Sequence, residues 1–235
     1  MSYERVGERL AEVRERVAEA ARRAGRAPGA VTVVAVTKRL GLEAVLAAAA
    51  CGQRDFGENY VQEALGKMQQ WPERGAGSEL RWHLLGRLQS NKASVAARSF
   101  AVLHAIDSLS AVRAISRAAR EYGVAPEMFL EIKLGESDQR GGVAAAAAEG
   151  FLREAALAGA LQFHGLMAVA DPALAARPQF AALRELRDRL ARLEIPGAPL
   201  AQLSMGMSGD FEDAIAEGAT VVRLGTVIFG ARPGA

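Results

Sequence analysis

Only four of the chain's 29 basic residues are lysines: Lys38, Lys67, Lys92 and Lys133. Arginine keeps its proton in proteins, whereas a lysine can be tuned to a neutral, nucleophilic amine. Lys38 closes the apolar, β-prone run "VTVVAVTK" (31–38), so it stands at the end of an expected strand. Two further segments combine small residues with hydrogen-bond donors. "LSMGMSGDFEDAI" (203–215) crowds Ser204, Gly206, Ser208 and Gly209 into six positions just before a helical pattern. "VVRLGTVIFG" (221–230) sets Gly225 and Thr226 after a β-prone run that contains Arg223. Small residues let backbone N–H groups approach an anion closely, so both corners suit a phosphate.

The elements that must position these residues follow from periodicity. Apolar, β-prone runs recur at 31–36, 54–57, 82–85, 102–105, 128–133, 162–167, 200–204 and 220–224. Segments of helical spacing lie between them. Leu42, Val45 and Leu46 begin one, Val61, Leu65 and Met68 mark another, and Phe180, Leu183, Leu186, Leu190 and Leu193 mark a third. "VAAAAAEG" (143–150) is an alanine-rich helix signal. Strands apolar on both faces, alternating with helices, imply parallel βα units covered by helices. Eight such units predict an α/β fold, a (β/α)8 TIM barrel, as one domain over residues 1–235; an open doubly wound sheet is the alternative. Val6, Leu10, Val13 and Val17 form one apolar stripe, an extra N-terminal helix that is expected to fill the place of the last one. The turn-rich "PERGAGSE" (72–79) is too short to divide the chain.

In such barrels the chemistry sits at the carboxyl ends of the strands, with phosphate commonly held after strands seven and eight. Closure puts strand eight beside strand one, so Lys38 faces both small-residue corners. An amine beside a phosphate site points to pyridoxal phosphate, whose aldehyde forms an imine with lysine and whose ring nitrogen needs a partner. Partial burial, with Arg39 and Arg223 nearby, would favour the neutral amine. Lys133 also ends a strand but lies across the barrel. Lys67 falls inside a helical pattern and Lys92 follows strand three, so both are weaker candidates.

These motifs resemble those of the pyridoxal phosphate homeostasis proteins. The matching segments are "AVTK" (35–38), "FGENYVQE" (56–63), "WHLLGRLQSNK" (82–92), "HGLMA" (164–168), "LSMGMSGDFEDAI" (203–215) and "VRLGTVIFG" (222–230). The family is similar to the barrel half of fold-type III enzymes such as alanine racemase, without their β domain. The resemblance implies pyridoxal 5'-phosphate held as a covalent imine on Lys38. It implies phosphate contacts from Ser204, Gly225 and Thr226, Arg223 near the pyridine nitrogen, and Asn59, Met167 and Met205 along the pocket. It implies storage, buffering or delivery of the cofactor to accepting apoenzymes, with no dedicated catalysis. Where the family often carries a serine–lysine pair, this chain reads "SDQRGG" (137–142), and Arg140 cannot form an imine. The alternative is a fold-type III amino-acid racemase, which needs a second base opposite Lys38. The chain ends at Ala235 without room for the domain that supplies that base, so binding is expected ahead of racemisation.

Composition excludes other classes. Half of the 235 residues are hydrophobic, enough for one sizeable core. The formal charge is +2, from 29 basic and 27 acidic residues, so nothing calls for nucleic acid or an anionic membrane. No apolar run approaches the roughly 18 residues of a membrane span. Cys51 is the single cysteine, so an internal disulfide is impossible, which fits the cytoplasm. It is expected to be buried and inert. His83, His104 and His164 show no metal-ligand spacing, and no metal is expected; His83 is read as a packed, hydrogen-bonded histidine. A monomer is expected.

Overall fold

In the computed structural model, described for residues 3–74, 79–135, 141–159 and 161–231, eight strands close on themselves. They are β1 (Thr32–Val36), β2 (Asp55–Glu58), β3 (Arg81–Leu84), β4 (Val102–Ile106), β5 (Glu127–Glu131), β6 (Phe163–Met167), β7 (Gln202–Ser204) and β8 (Val221–Leu224). Each pairs in parallel with the next, and β8 returns to β1, setting Val34 beside Arg223. The chain is therefore a (β/α)8 barrel, and every expected strand lies within one or two residues of its place. The helices between them are α1 (Val6–Arg23), α2 (Leu42–Ala50), α3 (Val61–Arg74), α4 (Ala93–Ser99), α5 (Leu109–Tyr122), α6 (Ala148–Ala156), α7 (Ala176–Ala191), α8 (Phe211–Ala216) and α9 (Thr226–Phe229).

Alternation along the strands divides the apolar residues into two layers. Ala35, Leu103, Leu130, Leu166 and Val222 join the large core between the sheet and the helices. Their neighbours Val34, Val102, Phe129, Met167 and Val221 form a separate, small cluster inside the barrel. The inner face is not wholly apolar: His83, His104, Ser204 and Arg223 share it, all buried. Burying polar groups there requires that each find a partner.

The helix that follows β8 is only four residues long. The N-terminal helix α1 covers that gap, packing on α8, α9 and α2 through Val6, Leu10, Val13, Val17, Ala20 and Ala21. Tyr3 meets Phe229 edge to face at 6.5 Å, and Arg16 lies 4.7 Å over the Phe211 ring.

Four local expectations are corrected. Cys51 is exposed, because α2 ends at Ala50 and the cysteine falls in the turn that leaves it. Leu193 is half-exposed beyond the end of α7. The alanine run does not begin as a helix: Val143 bridges to Ile132 beside β5, a 3-10 turn spans Ala145–Ala147, and α6 starts only at Ala148. Strand contact outweighs alanine's helix preference there. The loop read at 72–79 begins later than expected, since Pro72 lies in the last turn of α3, and residues 75–78 lie outside the described residues. The substitution at Arg140 also lies outside them.

Candidate functional site

One cavity of about 360 Å³ opens at the carboxyl ends of the strands. Lys38 borders it from the β1–α2 loop and Asn59 from the end of β2. Met167 lines it at the end of β6, Arg223 from within β8, and Gly225 and Thr226 from the following turn. Six of the eight residues expected from sequence thus share one wall. Val36, Leu85 and Val169 supply apolar surface between the polar groups. Lys38 and Arg223 are the two ionisable side chains on this lining.

Ser204 and Met205 do not reach the cavity. Both are fully buried, and Ser208 with Gly209 takes the place on the wall. The cause is the turn at Gly206. Its φ of +95° is left-handed, and a Cβ there would sit 2.7 Å from the Ala214 Cβ and 3.0 Å from the Phe211 Cα. Only glycine turns the chain so tightly. Asp210 secures the loop by accepting from the Met207 N–H at 2.6 Å. Ser208 Oγ faces the Val227 N–H at 3.4 Å. A Cβ at Gly209 would meet no atom within 4 Å, so the backbone there faces open space. The sequence marks this corner, and the resemblance assigns its phosphate contact to Ser204, whereas Ser208 is the serine on the lining.

The hydroxyl of Ser204 is committed inward. Arg223 Nη1 donates to it at 2.7 Å, and Arg223 Nη2 donates to the Ala168 carbonyl at 2.9 Å. Ser204 Oγ lies 2.8 Å from His104 Nδ1; His104 Nε2 lies 2.9 Å from His83 Nδ1; His83 Nε2 lies 3.0 Å from Asp55 Oδ1. With both rings neutral, one proton arrangement gives every atom a suitable partner. Arg223 donates to Ser204, Ser204 to His104, His104 to His83, and His83 to the Asp55 carboxylate. Burial holds both histidines below their ordinary pKa, and His83 and Arg223 push His104 down further. Burial also brings Arg223 down to about 10, which leaves it cationic at neutral pH. His104 stacks on Phe129 with centroids 4.7 Å apart. His83 is thus the packed, hydrogen-bonded histidine expected from sequence.

A second buried network lies beneath Lys38. Lys67, on α3, donates to the Thr37 carbonyl (2.8 Å), Glu58 Oε1 (2.6 Å) and Glu63 Oε1 (2.8 Å). The Thr37 hydroxyl donates to Glu58 Oε1 at 2.6 Å, and the Arg39 N–H donates to Glu63 Oε1 at 2.6 Å. Burial raises the Glu58 pKa, and Lys67 draws it back. Among the described residues, Glu58 Oε2 is a buried side-chain atom without a hydrogen-bond partner.

The other lysines stand elsewhere. Lys92 lines a neighbouring cavity of about 550 Å³ with Arg87 and Tyr60, and this cavity shares Asn59 with the first. Lys133 follows β5, outside the first cavity's lining. Among the described residues no cluster of histidine, cysteine and carboxylate is arranged to hold a metal, and no helix is long and apolar enough to cross a membrane.

Comparison with known proteins places the chain. The family described as "Alanine racemase, N-terminal domain" matches residues 9–233. The pyridoxal phosphate homeostasis protein of Pseudomonas aeruginosa is 40% identical over 228 residues, covering 97% of this chain and 96% of the relative. The chain belongs to the pyridoxal phosphate homeostasis proteins. The family member of Escherichia coli is 36% identical over 227 residues, covering 97% of each chain. The solved structure described as PipY of Synechococcus elongatus with pyridoxal phosphate bound has 36% identity and a TM-score of 0.84, covering 96% of this chain and all of that one. An alanine racemase of Clostridium difficile shares the barrel alone, at 15% identity and a TM-score of 0.66 over 53% of its length.

Proposed function

We propose that this chain binds pyridoxal 5'-phosphate at the barrel mouth, through a reversible Schiff base on Lys38, and stores, buffers or delivers it to accepting apoenzymes. The observation that carries this reading is the single cavity bordered by Lys38, Arg223 and the Ser208–Gly209 and Gly225–Thr226 corners. That donor set matches the cofactor part by part. When bound, the cofactor supplies an aldehyde that a primary amine can hold reversibly. Lys38 offers that amine, and Asn59 is a neutral neighbour on the same rim. The Ser208 and Thr226 hydroxyls and the two glycines suit an anionic phosphate, which backbone N–H groups can approach without a Cβ in the way. The apolar Val36, Leu85 and Val169 suit the face of a flat ring.

Arg223 supports holding over turnover. Its guanidinium is anchored by Ser204 and Ala168, so its position is fixed. A cationic donor beside the ring nitrogen disfavours protonation there and makes the ring a weak electron sink. Racemisation would also need a second base facing Lys38. The described lining offers none, since Arg223 is its other ionisable group. The name and cofactor of the similar proteins support the same reading, as does the membership of this family. A monomer in the cytoplasm completes this reading, and the near-neutral formal charge of +2 is compatible with it.

The deciding experiment is spectroscopic. Protein loaded with pyridoxal phosphate is expected to absorb in the visible and to yield a borohydride-fixed adduct on the peptide that carries Lys38. Addition of a competing apoenzyme should deplete the visible band. An adduct on Lys133 or no adduct at all overturns the assignment, and rapid D/L interconversion of an amino acid restores the racemase alternative.

A further inference from the structure

Lys67 is set aside by its sequence context, a lysine within a helix. In the structure it is buried, and its three ammonium hydrogens have three acceptors: Thr37 O, Glu58 Oε1 and Glu63 Oε1. Such a saturated ammonium is unsuited to nucleophilic chemistry. Its partners matter more. Thr37 and Arg39, the two residues that flank Lys38, are both tied to this cluster. Thr37 gives its carbonyl to Lys67 and its hydroxyl to Glu58. Arg39 gives its amide N–H to Glu63. Arg39 also has a φ of 60°, the left-handed region that a residue with a Cβ adopts reluctantly. The charge-assisted bond to Glu63 offsets that strain. Glu58 directly precedes Asn59, so one cluster underlies two residues of the cavity wall.

A buried ion cluster is a poor source of stability, because desolvation cancels much of the attraction. It does fix the direction of every hydrogen bond it makes. We infer that Lys67, Glu58 and Glu63 form a positioning clasp for Lys38. They act on the backbone at Thr37 and Arg39, turn the chain sharply after β1, and so set the direction in which the Lys38 side chain leaves the loop. None of the three lines the cofactor cavity. They are positioning residues, and the inference rests on the reading above in which Lys38 holds the cofactor.

Glu63 gives the cleanest test, because it is partly exposed and its loss leaves no large void. Glu63→Ala removes the acceptor for the Arg39 N–H, whereas Glu63→Gln keeps an acceptor oxygen and removes the charge. Lysine-selective isotope labelling of the full-length protein without cofactor gives four side-chain signals, and the Lys38 signal is identified by its loss in Lys38→Arg. Glu63→Ala is expected to shift the Lys38 signal and weaken pyridoxal phosphate binding about tenfold, as loss of one charge-assisted hydrogen bond implies. Glu63→Gln should keep the wild-type signal and lose clearly less affinity than Glu63→Ala, since the acceptor persists without its charge. Lys67→Met should lose more, and if it fails to fold the Glu63 pair still decides. A Glu63→Ala protein with unmoved Lys38 signal and wild-type affinity overturns the clasp. If wild-type protein binds no pyridoxal phosphate, the functional reading fails instead, while the Lys38 signals still decide the clasp.

Discussion

Arg223 Nη1 and Ser204 Oγ meet at 2.7 Å inside the barrel, and this contact removes Ser204 from the cavity. The serine orients an arginine and passes the hydrogen-bond chain on to His104. The serine on the cavity wall is Ser208, four residues further along the chain.

Exchanging the two serines for alanine should therefore give different phenotypes. Ser208→Ala is expected to weaken pyridoxal phosphate binding by about 1.5–3 kcal/mol, the worth of a hydrogen bond to a charged group, with little change in melting temperature. Ser204→Ala leaves buried partners unsatisfied and should lower stability by about 1–3 kcal/mol, with a smaller effect on affinity. Calorimetric titration and thermal melting of both variants check this. Equal affinity losses would return the phosphate contact to Ser204.

The four lysines allow an equally direct experiment. Lys38→Ala should abolish the visible band and the borohydride-fixed adduct while the circular dichroism spectrum persists. Lys133→Ala should retain both, because Lys133 lies outside the cavity lining. Peptide mapping of the reduced adduct reads the outcome. A Lys38→Ala protein that still forms the adduct assigns the amine elsewhere.

Much of this was legible in the sequence, and the remainder has identifiable causes. Strands buried on both faces are largely runs of Val, Ile, Leu and Ala, so Val33–Val36 stands out without any tertiary knowledge, and Val221–Leu224 does so despite its Arg223. The ends of β1, β7 and β8 follow from counting strands, and barrel closure brings Lys38 to Gly225 and Thr226. Which serine faces the cavity depends on a single left-handed turn at Gly206, and a sequence names the glycine without its angle. His83 and His104 sit amid apolar neighbours in their strands, so the pattern marks them as packed but not as partners. Lys67 looked like an ordinary helical lysine because its acceptors Thr37 and Glu58 come from other elements.

The histidine chain makes stability depend on pH. Burial keeps the folded pKa of His83 and His104 below the ordinary value near 6.5. Falling pH therefore protonates the unfolded chain before the folded one, and the pair's contribution, present above the ordinary value, is lost as pH drops beneath it. Glu58 and Glu131 act in the opposite sense, since burial raises theirs. A comparison of variants isolates the histidine effect. His104→Phe preserves a ring to stack on Phe129 but strands the Ser204 hydroxyl, so it should melt lower at about pH 8, and its deficit should shrink towards about pH 5.5. Asp55, Arg81, Glu127 and Arg223 face the pair and remain in both proteins. A deficit that stays constant across this range would mean that the histidines are not held neutral.

Gly206 links the stability of the barrel to the shape of its mouth. Its φ of +95° is costly for any residue with a Cβ, and the added atom would press on the Ala214 Cβ at 2.7 Å and the Phe211 Cα at 3.0 Å. Phe211 and Ala214 are buried in α8, which packs against α1 and α7, so they have little room to retreat. Backbone strain of about 1–3 kcal/mol adds to overpacking of similar size. Gly206→Ala should therefore destabilise the protein by about 2–5 kcal/mol. Relief by opening the turn would carry Ser208 and Gly209 away from Thr226, so the protein that remains folded should also bind pyridoxal phosphate more weakly. Denaturant unfolding and titration of the same preparation measure both effects. A variant that loses stability but keeps full affinity would show that the Ser208 corner is held independently of this turn.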